Sequence, residues 1–203
     1  VKFSHFCRAL IAASTAAAAV VMASAPAAQA QQSAAEFFSA PYNKSGYYPS
    51  SGRVARSAIP RQVVNYRGRH RPGTIVINTR ERRLYLVQQG GQAIKYGIGV
   101  GRPGFQWAGV KNISRKAEWP AWTPPPQMLR RRPDLPRHMK GGIGNPLGAR
   151  ALYLGSSLYR IHGSNEPETI GQAVSSGCIR MTNNDVIDLY KRVRVGTRVV
   201  VMR

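Results

Sequence analysis

Acidic residues are scarce in this chain. Eight Asp and Glu stand against thirty Lys and Arg among 203 residues, a formal net charge of +22. Such a balance draws the chain toward something anionic: nucleic acid, a membrane surface or a polyanionic wall. Composition does not choose among them. Cysteine is nearly missing, with Cys7 and Cys178 alone. Long apolar runs are missing beyond the first thirty residues, so no later stretch has the ~20 apolar residues a membrane-spanning helix needs. Helical periodicity is sparse. There is no internal repeat, no recognisable nucleic-acid motif and no basic-aromatic groove pattern.

The first thirty residues have their own character. Lys2, His5 and Arg8 make a short positive start, an Ala-rich apolar run follows from Ala9 to Val21, and Ala-Pro-Ala-Ala-Gln-Ala ends at Ala30. Positive start, apolar middle and small-residue end are the parts of a secretory signal over residues 1–30. An uncleaved N-terminal anchor is the other reading. Cys7 precedes the apolar run and leaves with a cleaved signal. The mature chain then carries one cysteine, Cys178, and no internal disulfide. A lone thiol in an oxidising compartment invites a reason for its presence. A partner in an intermolecular disulfide and an inert buried thiol stay open beside a chemical role.

Residues 31–72 are rich in Ser, Gly, Pro, Tyr and Arg and show no sustained apolar period. A segment of that composition buries too little apolar area to offset its chain entropy, which predicts a basic, disordered linker. From Gly73 the texture changes. Thr74–Thr79 is a β-branched run. Leu84–Val87 and Ala93–Val100 flank Gly90-Gly91 as a hairpin. Val110–Trp119, Ala151–Leu154, Leu158–His162 and Thr197–Met202 read as further strands. One helix is expected over Asn184–Arg192, with Val186, Leu189, Tyr190 and Val193 on one face and Asn183 or Asn184 as cap. Asp185 and Asp188 then read as helix-start and solvent-face residues. Pro120–Pro146 reads as a long loop with a helical turn near Met128. The sum is a mainly β domain over 73–203 with one short helix near its end.

Two short stretches carry chemistry: Ile161-His162-Gly163-Ser164 and Ser175-Ser176-Gly177-Cys178-Ile179-Arg180-Met181. A thiol attacks acyl carbons as thiolate, and free cysteine ionises only near pH ~8.5. A neighbouring imidazole raises that fraction and later protonates a leaving amine. His162, at a strand end, is the candidate base for Cys178. Gly177 permits a tight turn. Successive N–H groups at Ser176, Gly177 and Cys178 can converge on an oxyanion. Arg180 adds positive charge that can grip a substrate carboxylate. A buried inert Cys178 and a hydrogen-bonded core His162 are the plain alternative.

His-Gly, a loop, then Ser-x-Gly-Cys-x-Arg resembles the catalytic signature of the L,D-transpeptidase (YkuD-like, ErfK/YbiS-type) family. Glu118–Met128 and Gly141–Leu154 also resemble family segments, in the same order, so the likeness runs over roughly Gly73 to Arg203. It implies a β-sandwich-like catalytic domain and no metal or other cofactor. It implies that Cys178 attacks the third-residue carbonyl of a peptidoglycan tetrapeptide stem, releases D-Ala and forms a thioester. An amine of a second stem or of a wall-anchored protein then takes the acyl group, in peptidoglycan biosynthesis outside the membrane, in the periplasm or wall. Carbapenem acylation of Cys178 is implied too. Ser176 stands where many members have His, which leaves a backbone carbonyl, that of Gly163, to orient the His162 ring. Gly177, Ser176 and Gly163 are thus the oxyanion and orienting candidates, and Arg180, Ser175 and Tyr153 the substrate-binding ones.

Trp107, Trp119 and Trp122 read as loop packing or a substrate groove, His70 and His138 as solvated, and Glu166 and Glu168 as the start of a short helical turn. Competing functions are a polyanion-binding protein, weakened by export away from nucleic acid, and a peptidase or amidase that uses water in place of the amine. Electrostatic contact with an anionic wall or membrane surface fits the net charge. No nucleic-acid partner is expected.

Overall fold

The computed structural model describes residues 59–203. The expected signal and most of the expected linker lie outside them. Among the described residues eleven strands and two α-helices follow in chain order: β1 (Gln62–Asn65), β2 (Ile75–Asn78), β3 (Arg83–Val87), β4 (Gln92–Gly97), β5 (Val100–Gly101), β6 (Gly109–Glu118), α1 (Pro126–Arg131), β7 (Arg150–Leu154), β8 (Arg160–His162), β9 (Ala173–Ser175), β10 (Ile179–Arg180), α2 (Asn183–Arg192) and β11 (Arg198–Met202). Nine strands form a continuous ladder in the order β1-β4-β3-β2-β11-β6-β7-β8-β10, and β5 pairs with β9 apart from it.

β6 explains how one ladder wraps around a core. Its first residues pair with β11 and its later ones with β7, with a register shift between Ile113 and Arg115. A shift of that kind bends and twists a strand, so β6 turns from one sheet into the other. The two sheets then share a core. Ile75, Ile77, Leu84 and Tyr96 from one side meet Leu152, Leu154, Ile161 and Ile179 from the other, and Val186 and Leu189 of α2 close it. Burying side chains of this size contributes about 1.5–3 kcal/mol each before chain entropy is counted. The architecture is the mainly β, sandwich-like domain the resemblance implies.

The β-branched runs became β2 and β11, and the Gly90-Gly91 hairpin joins β3 to β4 in antiparallel register. Several expectations are corrected. Residues 59–72 are not linker: Gln62–Asn65 pairs with β4 at the end of the ladder. Val63 stays 61% exposed, so β1 is held by backbone pairing and carries no apolar period to read. The cap of α2 is Thr182, whose Oγ1 accepts the Asp185 N–H at 3.2 Å. Asn183 instead turns inward, where its Oδ1 accepts the Ala149 N–H at 2.9 Å. Asp188 is no solvent-face residue: it accepts the Tyr96 hydroxyl at 2.6 Å and pairs with Arg61 and Arg192, tying α2 to β4.

Candidate active site

β8 and β10 lie side by side and parallel, with Ile179 opposite Ile161 and Arg180 opposite His162. Side chains alternate across a sheet. Ile161 and Ile179 are buried in the core, so the alternate residues on the same strands, Arg160 and His162 on one and Arg180 and the preceding Cys178 on the other, share the opposite face. All four line one cavity of about 400 Å³. Trp122 and Met128, from the Pro-rich segment and α1, also line it. The sequence motif thus becomes a site because two short strands share one register.

His162 is 4% exposed. Its Nδ1 lies 2.6 Å from the Gly163 carbonyl oxygen. That carbonyl only accepts, so Nδ1 carries the proton and Nε2 the lone pair. Burial pushes the imidazole pKa down to about 3, Arg180 and more weakly Arg160 add to the fall, and the carbonyls of Gly163 and Pro146 oppose it. The ring is therefore neutral at ordinary pH. Gly163 is fixed in place because a Cβ there would collide with the Asn183 side chain.

The cysteine turn is held from several sides. Ser175, 4% exposed, accepts the Gly177 N–H at 3.1 Å and donates to the Cys178 carbonyl at 2.6 Å. Ser175 therefore shapes the turn from within. The Gly177 carbonyl accepts the Trp107 indole N–H at 2.8 Å, and Trp107 stacks on Tyr159 with ring centres 4.5 Å apart. Gly177 has φ +105°, and a Cβ there would lie 2.6 Å from Tyr159 Cε1. The residue type is dictated twice, by backbone and by space. Cys178 Sγ points to the Leu158 carbonyl at 3.7 Å. Ser176 lines the cavity.

Other candidates sit differently from expectation. Arg180 is engaged: its Nη1 donates to Glu166 Oε2 at 2.9 Å, with both side chains largely buried. Glu166 is the N-cap of the 3₁₀ turn Pro167–Thr169 and also the counter-ion of the motif arginine. Burial raises its carboxyl pKa to about 7 against the pull of Arg180. Tyr153 lies on the same face but is not among the cavity's lining residues; it pairs with Arg160 across β7 and β8, and its ring lies under the Arg115 guanidinium at 3.6 Å. Tyr159 borders the cavity in its place. Trp122 lines it, Trp107 braces the cysteine turn, and Trp119 is 44% exposed. His70 is bonded to the Tyr66 hydroxyl at 2.8 Å. Sequence reading passed over Arg160. Its position two residues before His162, on the same strand face, was the available signal.

Residues 72–201 match the YkuD family, the L,D-transpeptidase catalytic domain. The chain is 37% identical over 169 residues to the Escherichia coli K12 protein named Probable L,D-transpeptidase ErfK/SrfK, covering 77% of this chain and 51% of that one. It is 38% identical over 162 residues to Probable L,D-transpeptidase YbiS of the same organism, covering 75% and 51%. The chain spans about half the length of these curated relatives. Its fold matches the solved catalytic domain of the Enterococcus faecium L,D-transpeptidase acylated by ertapenem, with TM-score 0.51 at 20% identity, over 66% of this chain and all of that one. On the extent of the family match, the chain belongs to the YkuD family of L,D-transpeptidase catalytic domains.

Proposed function

We propose that this protein is a cysteine L,D-transpeptidase acting on peptidoglycan tetrapeptide stems. The observation that carries the reading is the paired register of β8 and β10, which brings Cys178 and a neutral, tautomer-fixed His162 to one cavity. Cys178 gives its proton to His162 Nε2 as sulfur attacks the third-residue carbonyl. The N–H groups of Cys178 and Ser176 are the donors for the oxyanion, since the Gly177 N–H is already directed to Ser175. The imidazolium is disfavoured by burial and by two arginines. It therefore forms together with the oxyanion and returns its proton to the departing D-Ala amine as the C–N bond breaks. A thioester remains. An acceptor amine then attacks it, gives a proton to Nε2, and the thiol is restored.

The acceptor in this reading is the amine of a second stem or of a wall protein; water in its place would make the same site a peptidase. Export by the N-terminal segment, and contact of the basic chain with anionic wall polymers or lipid headgroups, belong to the same reading and are supported by residue order and charge. Incubation with ertapenem tests it. A single covalent adduct is expected on Cys178 by mass spectrometry, absent in Cys178→Ala and formed far more slowly in His162→Ala. An adduct that persists in Cys178→Ala contradicts the assignment of the nucleophile.

A further inference from the structure

Among the described residues two guanidinium groups line the cavity, and one of them is paired with a carboxylate. Arg180 is paired with Glu166. Arg160 forms no ion pair with any carboxylate of the described residues. Its Nη1 donates to the Leu158 carbonyl at 3.1 Å, and its Nε is buried with no hydrogen-bond partner among the described residues. A guanidinium that lines a reaction cavity without a carboxylate partner offers its charge and its fork of N–H groups to an anionic group of a ligand. The Leu158 carbonyl that receives Arg160 is also the one that Cys178 Sγ approaches. The free cation therefore stands beside the nucleophile. Tyr153 steadies it, with the Arg160 guanidinium 5.3 Å from the ring centre.

We infer that Arg160 is the anion subsite of this cavity and takes the terminal carboxylate of the residue that departs. The identity of that carboxylate rests on the transpeptidase reading above; the subsite itself does not. A guanidinium fork matches a carboxylate in two parallel hydrogen bonds, which fixes orientation as well as charge. In a peptide the terminal carboxylate is separated from the preceding carbonyl by one amide and one Cα. Anchoring it on Arg160 sets that carbonyl, and no other, against Cys178. The subsite thereby selects a free C-terminus, and Tyr153 acts on substrate through Arg160 as a positioning residue.

The test compares alkylation of Cys178 by iodoacetate and by iodoacetamide, which differ in the carboxylate. The same thiolate displaces iodide from both, so their rate ratio cancels any change in its abundance. Arg160→Gln is expected to lower the iodoacetate-to-iodoacetamide ratio about tenfold, the scale of one charge-assisted hydrogen bond. Arg160→Lys is expected to keep part of it. Arg115→Gln removes the same charge next to the same tyrosine but away from the cavity lining, and is expected to leave the ratio unchanged. A ratio that survives Arg160→Gln, or falls equally in Arg115→Gln, overturns the subsite. In a second arm, wild type is expected to use a tetrapeptide with a free C-terminus about tenfold better in kcat/KM than its amide, and Arg160→Gln to lose that preference. A lowered alkylation ratio with neither peptide turned over would uphold the subsite and overturn the transpeptidase reading instead.

Discussion

Arg180 stands directly opposite His162 in the parallel pairing of β10 with β8, and the His162 carbonyl accepts the Met181 N–H at 2.8 Å. One ladder therefore carries both His162 and the strand that follows Cys178. The strand pairing sets Ile179 and Arg180 against Ile161 and His162, and the Ser175 hydroxyl and Trp107 indole hold the turn that carries Cys178. The same pairing sets a guanidinium beside the imidazole, which deepens the fall in its pKa. The pairing sets the geometry, and burial, with Arg180 beside the ring, keeps the imidazole neutral.

The neutral His162 ring has a signature in stability. The His162 pKa falls from 6.5 to about 3 on folding, so between these values the unfolded chain binds more protons. Its contribution is present above pH 6.5 and is lost as pH falls toward 3. The stability of wild type relative to His162→Gln should thus rise with pH across that window, by about 1.4 kcal/mol per unit at most, and level off above it. Urea midpoints at several pH values check this. A difference that stays constant from pH 3 to 6.5 would show that the ring charges freely in the folded state.

Glu166 runs in the opposite direction. Burial raises its carboxyl from 4.5 to about 7, so the folded chain holds the proton that the unfolded chain releases. This contribution is complete below pH 4.5 and is lost as pH rises through 7. Relative to Glu166→Gln, wild type should lose stability over that range, again by up to about 1.4 kcal/mol per unit. The opposite slope would mean that the ion pair with Arg180 outweighs burial.

Ser175 joins two backbone groups of the cysteine turn. Ser175→Ala removes both bonds and is expected to cost about 1–3 kcal/mol, because two backbone groups lose their partner. Acylation of Cys178 should slow by more than the stability loss explains, since the turn that aims the thiol loosens. Thermal unfolding and the rate of ertapenem adduct formation separate the two effects. An unchanged acylation rate contradicts the positioning role.

Gly177→Ala meets two penalties, a positive φ and contact with Tyr159 Cε1. The backbone alone costs about 1–3 kcal/mol. Trimming the ring with Tyr159→Ala is expected to relieve the steric part and leave the backbone part, so the double variant should recover only some of the lost acylation rate. Full recovery would mean that the conformation at residue 177 carries no strain.

Much of this was legible in the sequence, and the gaps have physical reasons. Ile75–Ile77 and Val199–Val201 are runs of β-branched residues bound for the core, and they read as strands. Val100–Gly101, Ala173–Ser175 and Ile179–Arg180 are too short to show a period; their pairing is set by tertiary contact. Cys178 and His162 were singled out because a motif binds residue type to spacing, and both line one cavity. Arg180 was singled out and Arg160 passed over; what sets them apart is a carboxylate, Glu166, whose approach to Arg180 depends on the loop between β8 and β9. Tyr153 and Tyr159 flank the same turn, and only the fold shows that Tyr159 borders the cavity while Tyr153 braces an arginine.

The most direct measurement is turnover of a disaccharide-tetrapeptide by the purified protein, read by mass spectrometry beside Cys178→Ala and His162→Ala. The expected result is cross-linked dimer with loss of one D-Ala from the donor, absent in both variants. Cleaved stems without dimer, still dependent on Cys178, would identify a hydrolase or a missing protein acceptor. Turnover that survives in Cys178→Ala would contradict the assignment of Cys178 as the nucleophile.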